Sequence, residues 1–271
     1  MSDKDDGFGS AFFVGEQERN PLRGSRQPGE KPLPRRFYKV AVAAPAEGGF
    51  GVFLDGKPAR TPARNMLILP GEGLATALAG EWDAQAETVD PAAMPLTRLA
   101  NSAIDGVADK MDEVLGDVVK YAGSDLICYR AGEPAGLAKA QSAAWDPYVH
   151  FVREECGARL ILSEGVVFHA QPEEALEAIA ARISAYVGAG QGAPFRLAAL
   201  HAMTTLTGSC VIALAAALRK MDGEAAFSAA HVDEDYQMRL WGGDEEAVAR
   251  LTRRRADMLA AAEMSLFCAP A

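Results

Sequence analysis

Histidine and cysteine are the first residues to consider, because their side chains bind metals and carry redox and nucleophilic chemistry. The sequence has four of each, widely separated, with no CxxC, HxH or HExxH spacing. Such spacing is what makes a metal or redox site recognisable in a sequence. We therefore predict no metal site, and we expect the cysteines to be free thiols in a reducing compartment.

Two other segments contain residue types that bind phosphate or act as nucleophiles. The glycines of VGAGQGAPF, at 187–195, follow a predicted helix and lack the lysine of a phosphate-binding loop, so they indicate a linker between helices. Ser209 and Cys210 are predicted to lie inside an apolar helix and not at a strand-to-helix elbow. Adjacent acids such as Glu173 and Glu174 do not share a helix face. We predict no catalytic residue and no cofactor.

One predicted helix combines acidic and aromatic side chains. Three consecutive acids occupy 233–235 and are followed by Tyr236, Gln237 and Trp241. Residues three and four apart share a helix face, so Glu234, Gln237 and Trp241 can form an outward stripe. Val232, Tyr236 and Leu240 would then face inward. The alternative is that Trp241 packs in the core beside Tyr236 and that the acids only hydrate a surface turn.

The charge balance limits the possible partners. There are 37 acidic and 27 basic residues, which give a formal net charge of −10. This charge repels nucleic acid and anionic lipid, and the longest basic cluster, Arg253–Arg255, is short. No apolar run reaches the roughly 20 residues of a spanning helix. We expect no nucleic-acid binding and no stable membrane insertion.

The predicted secondary structure that positions these residues changes along the chain from strands to helices. Residues 1–34 are rich in glycine, proline and charge and are predicted to be a flexible tail. Strands are predicted at Phe37–Val42, Gly51–Leu54 and Met66–Leu69, with a turn at Asp55-Gly56. Apolar residues at helical spacing then predict a helix over Leu74–Gln85.

From residue 100 onward the pattern is helical. Pro91 and Pro95 interrupt regular structure, so we place a domain boundary close to residue 100. The spacing predicts helices at Leu115–Cys128, Leu137–Glu155, Glu173–Val187, Phe195–Leu218, Glu224–Trp241 and Asp244–Phe267, with short strands possible at Leu160–Leu162 and Val166–Phe168. The predicted fold class is α+β, with a small N-terminal α/β domain (35–100) followed by a larger C-terminal helical bundle (101–271).

Several motifs together resemble one family. They are DEDYQ and LWGGDEEA near the C-terminus, EWDAQ at 81–85, MPLT at 94–97, SDLICYR at 124–130 and Gln141 with Trp145-Asp146-Pro147. The pattern is similar to the F1-ATPase assembly chaperones of mitochondria and alphaproteobacteria, and it runs in order from about Arg35 to Cys268.

The resemblance implies a protein that is not an enzyme, binds the unassembled F1 α subunit and prevents its aggregation until β subunits replace it. It also implies that Glu234 is the functionally important acid, with Asp233 beside it. Gln237 and Trp241 complete the expected client-binding set. We expect a monomer when the protein is free, located in the bacterial cytoplasm, with eukaryotic relatives in the mitochondrial matrix.

Two other functions remain open on the sequence alone. The first is an enzyme with a dispersed site in a cleft between the two regions, using Asp125, His201 and Glu234. The second is a regulatory module that binds some other protein. The remaining motif residues are expected to hold the two regions together, and Asp125 and Arg130 are expected to pair or to cap helix ends.

Overall fold

The N-terminal part of the fold is a small antiparallel sheet packed on one helix. A computed structural model describes residues 33–165 and 167–270, so the predicted tail lies almost wholly outside the described residues. The elements are β1 (Ala41–Ala46), β2 (Gly49–Leu54), β3 (Lys57–Pro58), β4 (Ile68–Leu69) and α1 (Glu72–Asp83). Strands β1, β3 and β4 all pair antiparallel with β2.

The first strand begins later than the sequence pattern predicts. The Asp55 carboxylate accepts hydrogen bonds from the backbone N–H groups of Lys39 and Val40 at 2.9 to 3.0 Å, which fixes the entry into the sheet. Tyr38 turns inward instead of extending the strand, and its hydroxyl donates to the Trp82 carbonyl at 2.6 Å. The predicted strand at 37–42 is therefore displaced to Ala41–Ala46, whereas Asp55 adopts the positive φ expected of the predicted turn.

The remaining elements are helical apart from one pair of two-residue strands. Within the described residues they are α2 (Pro95–Ser102), a π-helical turn (Ala103–Val107), α3 (Met111–Ala122), β5 (Tyr129–Arg130), α4 (Ala135–Cys156), β6 (Ser163–Glu164), α5 (Glu173–Val187), α6 (Ala193–Thr207), α7 (Cys210–Ala217), α8 (Gly223–Ala230), α9 (Val232–Trp241) and α10 (Glu245–Phe267). Short 3-10 turns lie at Pro91–Ala93 and Leu126–Cys128. The predicted α+β class is confirmed.

Helices α6 and α7 form the centre of the helical part. Nearly every residue of α6 and every residue of α7 is buried. The sequence pattern predicted one continuous helix here, but Gly208 has φ +67° and ends α6. The Ser209 hydroxyl then accepts a hydrogen bond from the N–H of Ile212 and caps α7. Ser209 is therefore a helix cap, contrary to its predicted place inside a helix.

Three other predicted elements differ from the structure. The predicted helix at 224–241 is interrupted at His231, where α8 ends and α9 begins. The predicted helix from Leu115 extends only to Ala122, because Gly123 follows and Asp125 starts a 3-10 turn. Of the region at 160–168, only Ser163 and Glu164 form a strand, parallel to β5; Val166 lies outside the described residues.

A side-chain helix cap joins the N-terminal sheet and α1 to the helical part that follows. Glu81 in α1 accepts hydrogen bonds from the N–H groups of Leu96 and Thr97, at 2.8 and 2.7 Å, so it caps the N-terminus of α2. Burial raises the pKa of this carboxyl group. The domain boundary near residue 100 stays a prediction. No helix within the described ranges has the length and apolar character needed to cross a bilayer.

Candidate client-binding site

Helix α9, which carries the acidic and aromatic residues, is fastened to α4 along one side. Val232 is buried at its start. The Asp233 Oδ1 atom accepts a hydrogen bond from Gln141 Nε2 at 2.8 Å. Tyr236 lies so close to α4 that its hydroxyl oxygen would be 2.6 Å from a Cβ at Gly136. The two helices are therefore antiparallel, with the C-terminal end of α9 near the N-terminal end of α4.

The opposite side of α9 faces solvent. Glu234, Gln237 and Trp241 are all exposed, and the side chain of Trp241 is 78% exposed. Their spacing of three and four residues aligns them on one face of the helix. The Glu234 carboxylate makes no hydrogen bond or ion pair with other residues in the described part of the chain. The alternative that packs Trp241 in the core is therefore wrong.

Two residues of this helix differ from their predicted positions. Leu240 was expected to face inward with Val232 and Tyr236, but it is 57% exposed. Tyr236 already lies against Gly136, in the first turn of α4, and Leu240 is one helical turn further along α9. Asp233 is only partly exposed because it points toward Gln141. Of the four predicted client-binding residues, three therefore share the exposed face and Asp233 lies at its inner edge.

The surroundings of this face are strongly acidic. Asp244 caps α10 by accepting a hydrogen bond from the N–H of Glu246, and Glu245 and Glu246 lie exposed in the first turn of that helix. Arg239 is directed toward the Tyr236 ring, with its guanidinium 5.9 Å from the ring centroid. The chemistry offered to a partner is thus a negative surface with an exposed indole, suited to a basic and partly apolar protein surface.

The motif residues on α4 and around Asp125 have structural roles. Trp145 is buried, and its indole N–H donates to the Ala229 carbonyl at 2.7 Å, which fastens α8 to α4. Arg130 stacks on Trp145 at 5.2 Å and pairs with Asp146 at 2.9 Å. Asp125 does not pair with Arg130; it accepts hydrogen bonds from the N–H groups of Ile127 and Val211 and so caps two helical segments.

The three residues of the enzyme alternative are not brought together. Asp125 is completely buried, and this burial raises its pKa to about 6. His201 is buried within α6, where desolvation lowers its pKa, while Glu234 lies on the surface. A cavity of about 440 Å³ between the sheet and α1 is lined by other residues, among them Phe37, Tyr38 and Trp82. No group of three potential metal ligands occurs among the described residues.

Two contacts that define the site were not found from the sequence. Gln141 was part of a motif, but its bond to Asp233 joins residues 92 positions apart and leaves no local pattern. Gly136 comes two residues after Pro134, as is ordinary at the start of a helix. The Tyr236 side chain nevertheless occupies the space that a Cβ at Gly136 would need. Both contacts depend on how α9 packs on α4, which periodicity alone does not specify.

The structure and sequence match proteins that are already known. The ATP12 chaperone protein family matches residues 35–153. A candidate chaperone from Agrobacterium tumefaciens has a TM-score of 0.82 and 46% identity, covering 88% of this chain and 87% of that one. Atp12 from Paracoccus denitrificans has a TM-score of 0.78 and 39% identity, covering 87% and 98% of the two chains.

A more distant relative is found in a eukaryote. The mitochondrial protein atp12 of Schizosaccharomyces pombe is 25% identical over 232 residues, covering 80% of this chain and 78% of that protein. The family resemblance is thus confirmed by a structural match that covers 87% of this chain at 39% identity, and relatives of this chain include a mitochondrial protein. The chain belongs to the ATP12 chaperone family.

Proposed function

We propose that this protein is an assembly chaperone for the F1 sector of ATP synthase that binds the unassembled α subunit. It would prevent aggregation of that subunit until β subunits replace the chaperone. The observation that supports this most is the exposed face of α9 formed by Glu234, Gln237 and Trp241, in a member of the ATP12 chaperone family. The expected partner surface is the one that the α subunit later presents to its β neighbours.

The chemistry of the face fits such a client. An unassembled subunit exposes a large and partly apolar interface, and surfaces of that kind self-associate. Trp241 supplies apolar area at one end of the α9 face, and Glu234 supplies a carboxylate that can accept a charge-assisted bond from an arginine or lysine. A charged contact of this type increases the association rate and the specificity.

Asp233 contributes to this proposal indirectly. Its bond to Gln141 holds α9 on α4, so it would position Glu234 and Trp241 for the client while lying at the edge of the interface. We further propose that the protein works by binding, without catalysis, cofactor or nucleic acid. It would act as a monomer in the bacterial cytoplasm.

The direct test is to mix the protein with isolated F1 α subunit and measure the mass of the complex by size-exclusion chromatography with light scattering. The expected result is a complex of one chaperone and one α subunit that forms without ATP. A complex with another protein but not with the α subunit would favour a regulatory module. Absence of any complex at micromolar concentrations would contradict the proposal.

A further inference from the structure

Four apolar side chains next to β6 are exposed in a part of the molecule that the α9 face does not include. They are Ile161, Leu162, Val167 and Phe168, and we call them the apolar patch. Phe168 is 65% exposed and Val167 is 60% exposed. Single exposed apolar residues are common on protein surfaces, whereas these four lie within eight positions of sequence, and exposed apolar area that is concentrated in this way is typical of interaction sites.

The backbone around the apolar patch is held in place by polar contacts. The buried side chain of Gln171 makes two hydrogen bonds with Ile161, accepting from its N–H at 2.8 Å and donating to its carbonyl at 3.0 Å. The Ser163 hydroxyl donates to the Val167 carbonyl at 3.0 Å. Pairing of β6 with β5 adds further hydrogen bonds. Ile161 and Val167 are therefore each held by hydrogen bonds, and such preorganisation lowers the entropic cost of binding.

The segment 132–136, which leads into the first turn of α4, contacts β6 beside the apolar patch and also contacts the inner side of α9. The Glu164 carboxylate lies directly against Gly132, in the space that a Cβ would need, and Tyr236 lies against Gly136 in the same way. Four residues of chain span at most about 14 Å. A typical interface of roughly 800 Å² per partner is about 30 Å across. The two contact points are therefore close enough to lie beneath one docked protein.

Exposed acidic residues lie near both surfaces. Glu164 is exposed and lies between the two halves of the patch in sequence, Glu133 is exposed in the segment 132–136, and Glu234 is exposed on α9. A partner that covers all three would need basic groups arranged around an apolar centre, since like charges buried against these acids would be strongly unfavourable. This is the same chemistry that the α9 face requires of its client.

We propose that the apolar patch and the α9 face form one continuous docking surface for the unassembled F1 α subunit. The patch would cover apolar area of the subunit while Glu164 and Glu234 pair with basic groups at its edge. This inference rests on the proposed function, because the occupant of the patch is the same client. It adds Val167 and Phe168 as contact residues that no sequence motif indicated.

The test uses a double substitution, Val167→Ser with Phe168→Ser, and titration of the α subunit by isothermal calorimetry. The expected result is a Kd at least tenfold higher than that of the wild type, with an unchanged melting temperature because both side chains are exposed. Phe37→Ser is the matched control, since Phe37 is 73% exposed but lies in the segment before β1, outside both surfaces. Its Kd should be within twofold of the wild-type value.

The outcomes separate this inference from the proposed function. If the wild type itself does not bind the α subunit, the proposed function fails. If the wild type binds, Glu234→Gln weakens binding and the double substitution does not, only the continuous surface is wrong. Equal weakening by Phe37→Ser would also overturn it, because the effect would not be specific to the patch.

Two further experiments would reveal a different occupant of the apolar patch. A dimer in analytical ultracentrifugation that disappears with the double substitution would assign the patch to a second copy of this chain and overturn the proposal. A chain without residues 1–32 that binds the α subunit more tightly, with the gain lost in the double variant, would assign the patch to that N-terminal segment. This result would overturn the proposal as well.

Discussion

The buried carboxylate of Asp125 accepts a hydrogen bond from the backbone N–H of Val211 at 3.1 Å, across 86 positions of sequence. The bond joins the segment after α3 to the first turn of the central helix α7. Asp125 also accepts from the N–H of Ile127 at 3.3 Å. A single side chain therefore satisfies backbone donors at two helical starts that would otherwise be buried without partners.

Replacing Asp125 should reveal an unusual dependence of stability on pH. Burial raises the pKa of this carboxyl group from 3.8 to about 6. Between pH 4 and 6 the folded state keeps a proton that the unfolded state has released, so this group lowers the free energy of unfolding as pH rises. A difference of about two pH units corresponds to roughly 3 kcal/mol.

The measurement is urea denaturation of the wild type and Asp125→Asn between pH 4 and 7. The free energy of unfolding of the wild type, relative to that of the variant, should fall by about 3 kcal/mol over this range. A constant difference would contradict the raised pKa. Asp125→Ala, which leaves both N–H groups without an acceptor, should be less stable than Asp125→Asn at every pH, by about 1 to 3 kcal/mol.

His201 should act in the opposite direction. Desolvation lowers its pKa below the usual 6.5, so the folded state stays neutral while the unfolded state binds a proton as pH falls through 6.5. The free energy of unfolding should therefore decrease as pH falls below 6.5 because of this residue. His201→Gln should remove that part of the pH dependence in the same denaturation series, and an unchanged pH profile would contradict it.

The bond between Gln141 and Asp233 should be measurable as an energetic coupling. Gln141 also accepts a hydrogen bond from the N–H of Ala131 at 2.7 Å, so Gln141→Leu should reduce the free energy of unfolding by about 1 to 3 kcal/mol. A double-mutant cycle of Gln141→Leu and Asp233→Ala should give a coupling energy of about 1 kcal/mol or more. Strict additivity would show that this bond does not hold α9 in place.

Substitution of Trp241 and substitution of Trp145 should change the free energy of unfolding to very different extents. Trp241 is exposed and makes no hydrogen bond within the described residues, so Trp241→Ser should change the free energy of unfolding by no more than about 0.5 kcal/mol. Trp145→Phe should cost about 1 to 3 kcal/mol, because it removes the buried bond to the Ala229 carbonyl.

Fluorescence quenching checks the same assignment. Acrylamide should quench the wild type strongly, and Trp241→Ser should lose most of this accessible component. If the accessible component persists in Trp241→Ser, the exposed position of Trp241 is contradicted.

Local sequence patterns identified most of the elements but not their packing. Helical periodicity found α4, α5 and α10 nearly to their ends, and the Asp55-Gly56 turn was recognised from its residue types. The breaks at Gly208 and His231 were missed because the apolar spacing continues across them. Whether Leu240 faces inward depends on where α4 begins relative to α9, and the local spacing of apolar residues does not encode this tertiary arrangement.

The four candidate residues were predicted as one set, and the structure shows that Asp233 has different surroundings from the other three. The spacing of Glu234, Gln237 and Trp241 was sufficient to place them on one face. The inward position of Asp233 could not be predicted, because its partner Gln141 lies in a distant helix. Exposure of the apolar patch was also not predictable, since Val167 and Phe168 resemble a strand in sequence.

The central claim is tested most directly by light scattering of freshly refolded F1 α subunit with an equimolar amount of the wild type, Glu234→Gln or Glu177→Gln. Glu177 is an exposed acid on α5 and serves as the matched control, because both substitutions remove one charge at nearly constant volume. We expect the wild type and Glu177→Gln to suppress scattering equally and folded Glu234→Gln to lose at least half of the suppression. Equal suppression by all three would contradict the role of Glu234, and no suppression by the wild type would contradict the chaperone account itself.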